Sequence, residues 1–565
     1  MLKSETGRCI LFRYSKTFIL FACAIFYLCT ASSDETEDAT CDNDGTCSFV
    51  SEPSVPPECQ LVMAESTLPN GGWGVFTLID RPERGTPLLY GDVVVQVTDL
   101  NHTYAAALRR LLDDYWWSAE ETGGFYEGQQ VLSSIPGIGM LANGLIVQEH
   151  NVLPFVPMVD EAGLTRTESP GAGAITHYHN YTWFVKKPMV AGDEIFVPYS
   201  PHWFSERNAR IQQNAPASRK TTTRRHLEFL RQYGFCLDNV KPGRSVLPDA
   251  GRGLFAARNI RQGSVVLPVP VMAITDPRAL DITRVKKPSS QVDYSKQLLL
   301  NYCFGHNESS VLLYPYGPGM HLVNHGGGQY TNVRLEWDTV PNDVSWTNLT
   351  QWQDPQAPRA PKFLLKLIAL RDIAVGQEIL LDYGPDWIEA WVRHVETWTP
   401  SSPGKYEEPY TPSYVMDDVV KVLRTQEELQ TYPYPANIFT SCFYRYEDIA
   451  RSTQVDDTDP STLVTVQWQQ TRHTFEFMNL RPCTVLERNE SNGLFTVRIL
   501  NRFGLSAKER VPSVHIVTHV PRKAIRFSDK LYTTDQHLKN AFRHPIGLSD
   551  DLFPDQWKDL KVKDF

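Results

Sequence analysis

Three short motifs occur twice, in one order, along this 565-residue chain, and that repetition limits the architectures open to it. The clearer set is Asp249-Ala250-Gly251-Arg252-Gly253-Leu254-Phe255-Ala256, then Gly319-Met320-His321-Leu322-Val323-Asn324-His325-Gly326, then Gly376-Gln377-Glu378-Ile379-Leu380-Leu381-Asp382-Tyr383-Gly384. The earlier set is weaker. Gly72 and Gly74 answer Gly251 and Gly253 at a separation of 179, Gly139-Met140 answers Gly319-Met320 at 180, and Asn143 answers Asn324 at 181. Gly192, Glu194, Tyr199 and Trp203 answer Gly376, Glu378, Tyr383 and Trp387 at 184, and Cys59 answers Cys236. Matches in one order with slowly drifting spacing indicate internal duplication. The period is far too long for a solenoid, so two whole domains are expected.

Between the motifs lie short β-branched runs broken by Gly, Pro and Asn, such as Ser264 to Ile274, Asn332 to Trp337 and Lys362 to Leu370. Helical spacing is scarce, with Tyr104 to Trp117 the clearest case. The expected fold is mainly β, two tandem β-rich domains followed by a small β-barrel of SH3 or Tudor type. The boundaries follow composition. Residues 34–58 read as an acidic linker, 59–203 as the first module, 204–235 as a helical connector and 236–397 as the second module. Residues 398–434 form a linker with a short helix at Met416 to Gln430. The C-terminal domain is 435–565, its barrel at 435–530 followed by a Pro-rich, aromatic tail. Asp338 to Pro361 reads as a surface insertion.

The N-terminus carries Lys3, Arg8, Arg13 and Lys16, then the apolar run Phe18 to Cys29, then the small residues Ala31 to Ser33. At 12 residues the run is short for a bilayer span and fits a signal peptide or signal anchor over 1–33. The secretory pathway is therefore the expected destination, with membrane contact only through this segment if it is retained. Sequons at Asn101, Asn180, Asn307, Asn348 and Asn489 agree with a glycoprotein. Seven cysteines lie beyond the apolar run, and two of Cys41, Cys47 and Cys59 could pair in an oxidising compartment. No CxxC pair has a partner, so no structural zinc is expected. His150, His177, His179 and His202 lack acidic or thiol partners at suitable spacing, so no metal is assigned to them. A net charge of −10 argues against direct nucleic-acid binding.

Taken singly, the glycines could be turn residues, and Tyr383 a core tyrosine with its hydroxyl tied down. As a dinucleotide fingerprint, Gly251 and Gly253 lack the third glycine and the surrounding strand–helix unit. In order, however, Gly251-Arg252-Gly253-Leu254-Phe255-Ala256, Asn324-His325 and Gly376-Gln377-Glu378 through Asp382-Tyr383 resemble the SET domain family, the protein lysine methyltransferases. The resemblance covers about 150 residues well and the earlier 145 loosely.

It implies a protein-lysine N-methyltransferase using S-adenosylmethionine. Gly251, Arg252, Gly253, Asn324 and His325 would bind the cofactor and Tyr383 would be catalytic. The implied partner is a protein with an accessible lysine. The sequence departs from the family where Gly326, Gly327 and Gly328 follow His325, predicting a wider loop, and where Asn332 falls two places late. No cysteine cluster follows Trp391, so a lid must come from elsewhere. The first module has Gly144 where the histidine should stand and Pro198 where the aspartate should stand. No cofactor is expected there. A second reading stays open: a catalytically inactive SET-like protein-interaction module in the secretory pathway, a compartment where the cofactor is not made.

Overall fold

The computed structural model describes residues 40–41, 47–48, 55–69, 71–98, 104, 108, 114–118, 131–145, 149–155, 181–199, 203, 223–285, 292–338, 363–398, 411, 413–435, 437–444, 464–472, 474–475, 479–499, 515–529, 542–558 and 560. The apolar N-terminal run, most of the acidic linker, the 339–362 insertion, and His177, His179 and His202 lie outside them. Residues 1–52 form one compact unit, in which Thr40–Cys41 pairs antiparallel with Cys47–Ser48. Pro53–Phe565 is the other. Among the described residues, no helix is long and apolar enough to cross a membrane.

The fold is mainly β. In the first module, five strands pair in the order Phe235–Cys236, Leu61–Glu65, Trp73–Thr77, Glu194–Pro198, Asn143–Leu145. A three-stranded sheet sets Val131–Ser134 between Val95–Thr98 and Trp116–Ser118. The helix expected over Tyr104 to Trp117 does not hold at Trp116 and Trp117, and most of the rest of that stretch lies outside the described residues. Trp116 and Trp117 pair with Ser134 and Ser133, and the Trp117 ring packs on Tyr181 and Trp183. Bulky aromatics suit that half-buried pleated surface better than a helix exterior.

The second module holds an eight-stranded sheet. Its order is Asn324–His325, Leu380–Leu381, Val333–Trp337, Leu364–Ala369, Val265–Ile274, Leu312–Pro315, Phe304–Gly305, Ile546–Gly547. Val265–Ile274 is the longest strand among the described residues and is buried along nearly its whole length, which suits a strand covered on both faces. The last strand was not foreseen. Ile546–Gly547, from the tail after the expected barrel, pairs parallel with Phe304–Gly305, and Leu548, Phe553 and Trp557 follow it into the second module's core. Val93, Val95 and Met140 of the first module enter that core too. Ser134 Oγ and Tyr314 Oη lie 2.8 Å apart, and the Gly137 N–H donates to the Tyr316 carbonyl at 2.9 Å.

In the C-terminal region six strands pair in one series, from Val464–Gln467 through His515–Pro521, Leu494–Ile499, Leu480–Arg488 and Ile438–Phe443 to Ile525–Asp529. Among the described residues no pairing joins the two outer strands. The helix expected over Met416 to Gln430 divides into Ser413–Val419 and Glu428–Thr431. A capping box explains the break: the Thr425 N–H donates to the Glu428 carboxylate at 2.7 Å, and the Glu428 N–H donates to Thr425 Oγ1 at 3.3 Å. Among the described residues the disulfides are Cys59–Cys236 and Cys442–Cys483, with Cys303 a buried free thiol. Cys59 thus pairs with its counterpart 177 residues away, not with Cys41 or Cys47.

Candidate active site

The three motifs meet around one buried carboxylate. Glu378 accepts hydrogen bonds from Ser245 Oγ at 2.7 Å, the Val246 N–H at 2.8 Å and Asn324 Nδ2 at 3.0 Å. Asn324 Nδ2 also donates to the Arg252 carbonyl at 2.8 Å, so its amide ties the first motif to the third. Gly253 explains itself here. A Cβ at that position would lie 2.1 Å from Glu378 Oε1, so only glycine lets the carboxylate reach the strand. Gly251 has φ +67°, the left-handed turn geometry that glycine adopts most readily. Behind the cage, Asn332 clamps the closing strand: its Nδ2 donates to the Glu378 carbonyl and its Oδ1 accepts the Leu380 N–H, both at 2.8 Å. Its late position in the sequence does not remove it from this work. The glycines after His325 form one helical turn, Gly327–Tyr330.

The same set of bonds recurs in the first module. Glu194 accepts from Ser66 Oγ at 2.6 Å, the Thr67 N–H at 2.8 Å and Asn143 Nδ2 at 3.3 Å. Asn143 Nδ2 donates to the Trp73 carbonyl at 3.0 Å, and a Cβ on Gly74 would lie 2.5 Å from Glu194 Oε1. Asn151 clamps the strand as Asn332 does, at 2.8 Å to the Glu194 carbonyl and 2.8 Å from the Phe196 N–H. Burial pushes the Glu194 carboxyl above its ordinary range, with the Ser66, Thr67 and Asn143 bonds opposing.

The modules part at the next residue. His325 lies against Tyr383 and Trp387, with ring centroids 5.3 and 5.2 Å away. Burial lowers its pKa, against the pull of Asp382, so the imidazole is neutral. Its Nδ1 accepts the Tyr383 N–H at 3.1 Å, which places the ring proton on Nε2. In the first module, Gly144 takes this position, and a Cβ there would lie 2.0 Å from the Tyr199 ring. The Tyr199 ring occupies the space that a side chain at position 144 would need.

Tyr383 Oη donates to the Val323 carbonyl at 2.5 Å. Burial, and Tyr302 beside it, push the phenol well above its ordinary pKa. Arg252 and Arg543 lie close enough to Tyr302 to oppose the same burial effect there. His321 packs near Tyr302 and Tyr314, with ring centroids 4.5 and 5.4 Å away, and neither of its ring nitrogens has a hydrogen-bond partner among the described residues. Burial pushes its pKa down to about 3.

All six residues singled out from the sequence (Gly251, Arg252, Gly253, Asn324, His325 and Tyr383) therefore fall in one neighbourhood. Sequence reasoning missed the cage role of Glu378 and Ser245, and missed Asn151, Tyr302 and His321. Ser66 and Ser245 keep the separation of 179, and Asn151 and Asn332 the separation of 181, so fuller comparison of the two copies would have found them. In the first module His150 lies 2.6 Å from Lys186 Nζ. Cys59, Cys236 and Asp238 cluster closely enough to hold a metal, but the two sulfurs are bonded to each other.

No curated protein matches the chain. Among solved structures it is similar to a Plasmodium falciparum protein described as a candidate histone methyltransferase, at 19% identity over 26% of this chain and 96% of that one, with a TM-score of 0.17. It is similar to Chaetomium thermophilum polycomb repressive complex 2 at 22% identity, over 26% of this chain and 15% of that one, TM-score 0.18. A third likeness is to a polycomb repressive complex 2 in an autoinhibited conformation bound to S-adenosylmethionine, at 19% identity over 34% and 24%, TM-score 0.18. The chain spans nearly all of the first of these but under a quarter of the two polycomb chains. Likenesses of this size carry no argument about activity. The family model described as the SET domain matches residues 251–384, the stretch that holds Gly251, Gly253, Asn324, His325, Glu378 and Tyr383, with the cage donors Ser245 and Val246 just before it, and the chain thus carries one SET domain there.

Proposed function

We propose that residues 251–384, together with their surrounding module 236–397, act as a protein-lysine N-methyltransferase that uses S-adenosylmethionine. The observation that carries the reading is His325 held against Tyr383 and Trp387, beside a tyrosine hydroxyl aimed at a backbone carbonyl. The residues present suit the cofactor. Arg252 and Arg543 offer cations for its carboxylate, the backbone at Gly251 to Gly253 offers donors and acceptors, and the His325 ring offers a stacking face. When bound, S-adenosylmethionine supplies a methyl group on a positively charged sulfur.

The rest is positioning. A lysine amine has a pKa of roughly 10.4 and reacts only when neutral, which a buried, cationic neighbourhood favours. Tyr383 spends its proton on Val323, so its oxygen lone pairs remain to accept from the amine N–H and turn the nitrogen lone pair toward the methyl group. The phenol's raised pKa keeps it protonated for that arrangement. Orientation and exclusion of water are the main contributions open to such a site.

In the same reading the first module is a degenerate copy without cofactor. The recurring cage around Glu194 supports duplication, and Tyr199 lying over Gly144 supports loss of the site. That the cage survives there means it holds the fold and is not by itself a sign of activity. This is the support for the second reading, an inactive interaction module. The two disulfides, and the exposed sequon residues Asn307 and Asn489, support passage through the secretory pathway.

Calorimetry with S-adenosylmethionine and the full chain tests the proposal. Wild type should release binding heat, and His325→Ala should weaken affinity by about tenfold or more. A folded wild type that gives no heat, and transfers no methyl group to lysine-rich protein, sinks the enzyme reading and leaves the interaction module.

A further inference from the structure

The surroundings of Tyr383 are completed from the far end of the chain. Asn301 grips the incoming segment on both sides: its Nδ2 donates to the Phe542 carbonyl at 2.6 Å and its Oδ1 accepts the His544 N–H at 3.1 Å. Two residues on, the Ile546 N–H donates to the Cys303 carbonyl and the Leu548 N–H to the Gly305 carbonyl, both at 2.8 Å. Between them the Gly547 N–H donates to the Tyr383 carbonyl at 2.8 Å. The approach is close enough that a Cβ on Gly547 would lie 3.0 Å from that oxygen.

The helix that follows Tyr383, Pro385–Thr397, has no buried residue, and its Ile388 and Val392 are exposed. Such a helix has little intrinsic hold on the body of the protein. Its inward face carries Trp387, Trp391 and His394, and Phe542 meets all three, with ring centroids at 5.8, 5.5 and 5.1 Å. Trp387 in turn packs on Tyr383 and His325. One aromatic ring from the tail therefore secures the helix, and one main-chain bond from the tail secures the residue that begins it.

We propose that residues 542–548 are a strap that positions Tyr383 and its helix for the reaction, with Phe542 and Gly547 as positioning residues. The strap deepens the methyltransferase reading, since Tyr383 is the group it holds, but its physical effect can be read without any turnover.

The test is amide hydrogen exchange across residues 383–397 in the full chain, wild type beside Phe542→Ala, with methyl transfer and cofactor calorimetry on the same samples. Exchange in the helix should quicken by about tenfold or more in Phe542→Ala and return toward wild type in Phe542→Tyr. The turnover number should fall by about tenfold, and by more than cofactor affinity, because the ring packs on the helix and reaches His325 only through Trp387. Exchange unchanged in a folded Phe542→Ala overturns the strap. If that variant does not fold, Gly547→Ala keeps the ring and crowds only the Tyr383 carbonyl. Faster exchange near residues 383–388 then supports the strap, and unchanged exchange overturns it. Faster exchange in a chain whose wild type neither binds cofactor nor transfers methyl upholds the strap while the methyltransferase reading falls.

Discussion

Replacing Gly253 by alanine should cost far more than a methyl group in an ordinary strand. Gly253 lies in the extended strand Arg252–Ala256, and its φ is not in the left-handed region, so alanine brings no backbone strain. The cost comes from Glu378. The new Cβ would stand 2.1 Å from Oε1, 2.7 Å from Cδ and 3.3 Å from Cγ, and carbon never sits that close to a carboxylate. The carboxylate must withdraw by about an ångström, which breaks its hydrogen bonds to Asn324 and Ser245. Hydrogen bonds to a charged group contribute about 1.5–3 kcal/mol each, so losing two costs about 4 kcal/mol. At about 2–4 °C per kcal/mol for a module this size, the transition of the second module should fall by roughly 8–16 °C in calorimetry. A double-mutant cycle isolates the cause. Glu378→Ala alone is destabilising because it strands Ser245, Val246 and Asn324. Adding Gly253→Ala to it should cost under about 1 kcal/mol, because the clashing carboxylate is gone. A single Gly253→Ala shift below about 1 kcal/mol, or an undiminished cost in the Glu378→Ala background, would refute the argument.

Three further outcomes follow from the same geometry. Tyr383→Phe should keep the fold and cofactor affinity while methyl transfer drops by about a hundredfold, measured under single turnover; retained activity would remove the catalytic assignment. His321 has a folded pKa near 3 against an ordinary value near 6.5, so the unfolded chain binds more protons between those limits, and stability is full above pH 6.5 and lost as pH falls. At pH 5 the loss is about 2 kcal/mol, and His321→Phe should remove that part of the acid sensitivity in urea titrations at pH 7 and pH 5. Cys59→Ser should lower stability by up to about 5 kcal/mol, since the bridge to Cys236 closes a loop of 177 residues, and the variant should leave both Cys236 and the buried Cys303 as thiols, countable after denaturation.

The parts legible in the sequence were those written in short-range pattern. The β-branched run Ser264 to Ile274 marked a strand, and only the structure shows it buried between two neighbours in the sheet. The glycines, Asn324, His325 and Tyr383 could be named because each sits in a compact motif that appears twice. Local pattern also misled where tertiary pairing outweighed it. Trp116 and Trp117 follow a helical stretch yet belong to a strand, since Val131–Ser134 and the Tyr181–Trp183 cluster give their rings somewhere to pack. Thr425 and Glu428 look like helix interior until their mutual hydrogen bonds start a new turn there.

Read alone, the sequence carries a mainly β chain with one clear motif set and a weaker one in the same order, and it points to the residues of the clear set. Only the tertiary structure decided what those residues do to one another. Gly253 is a glycine because of Glu378, which lies 125 positions away, and Cys59 pairs with Cys236, 177 positions on. Tyr383 is held by Gly547 of a tail that composition had assigned elsewhere. The reason is physical: periodicity and turn chemistry act over a few residues and leave their mark in local order. Steric exclusion, buried hydrogen bonds and aromatic packing act between whatever residues folding brings into contact, and nothing in local order records which those will be.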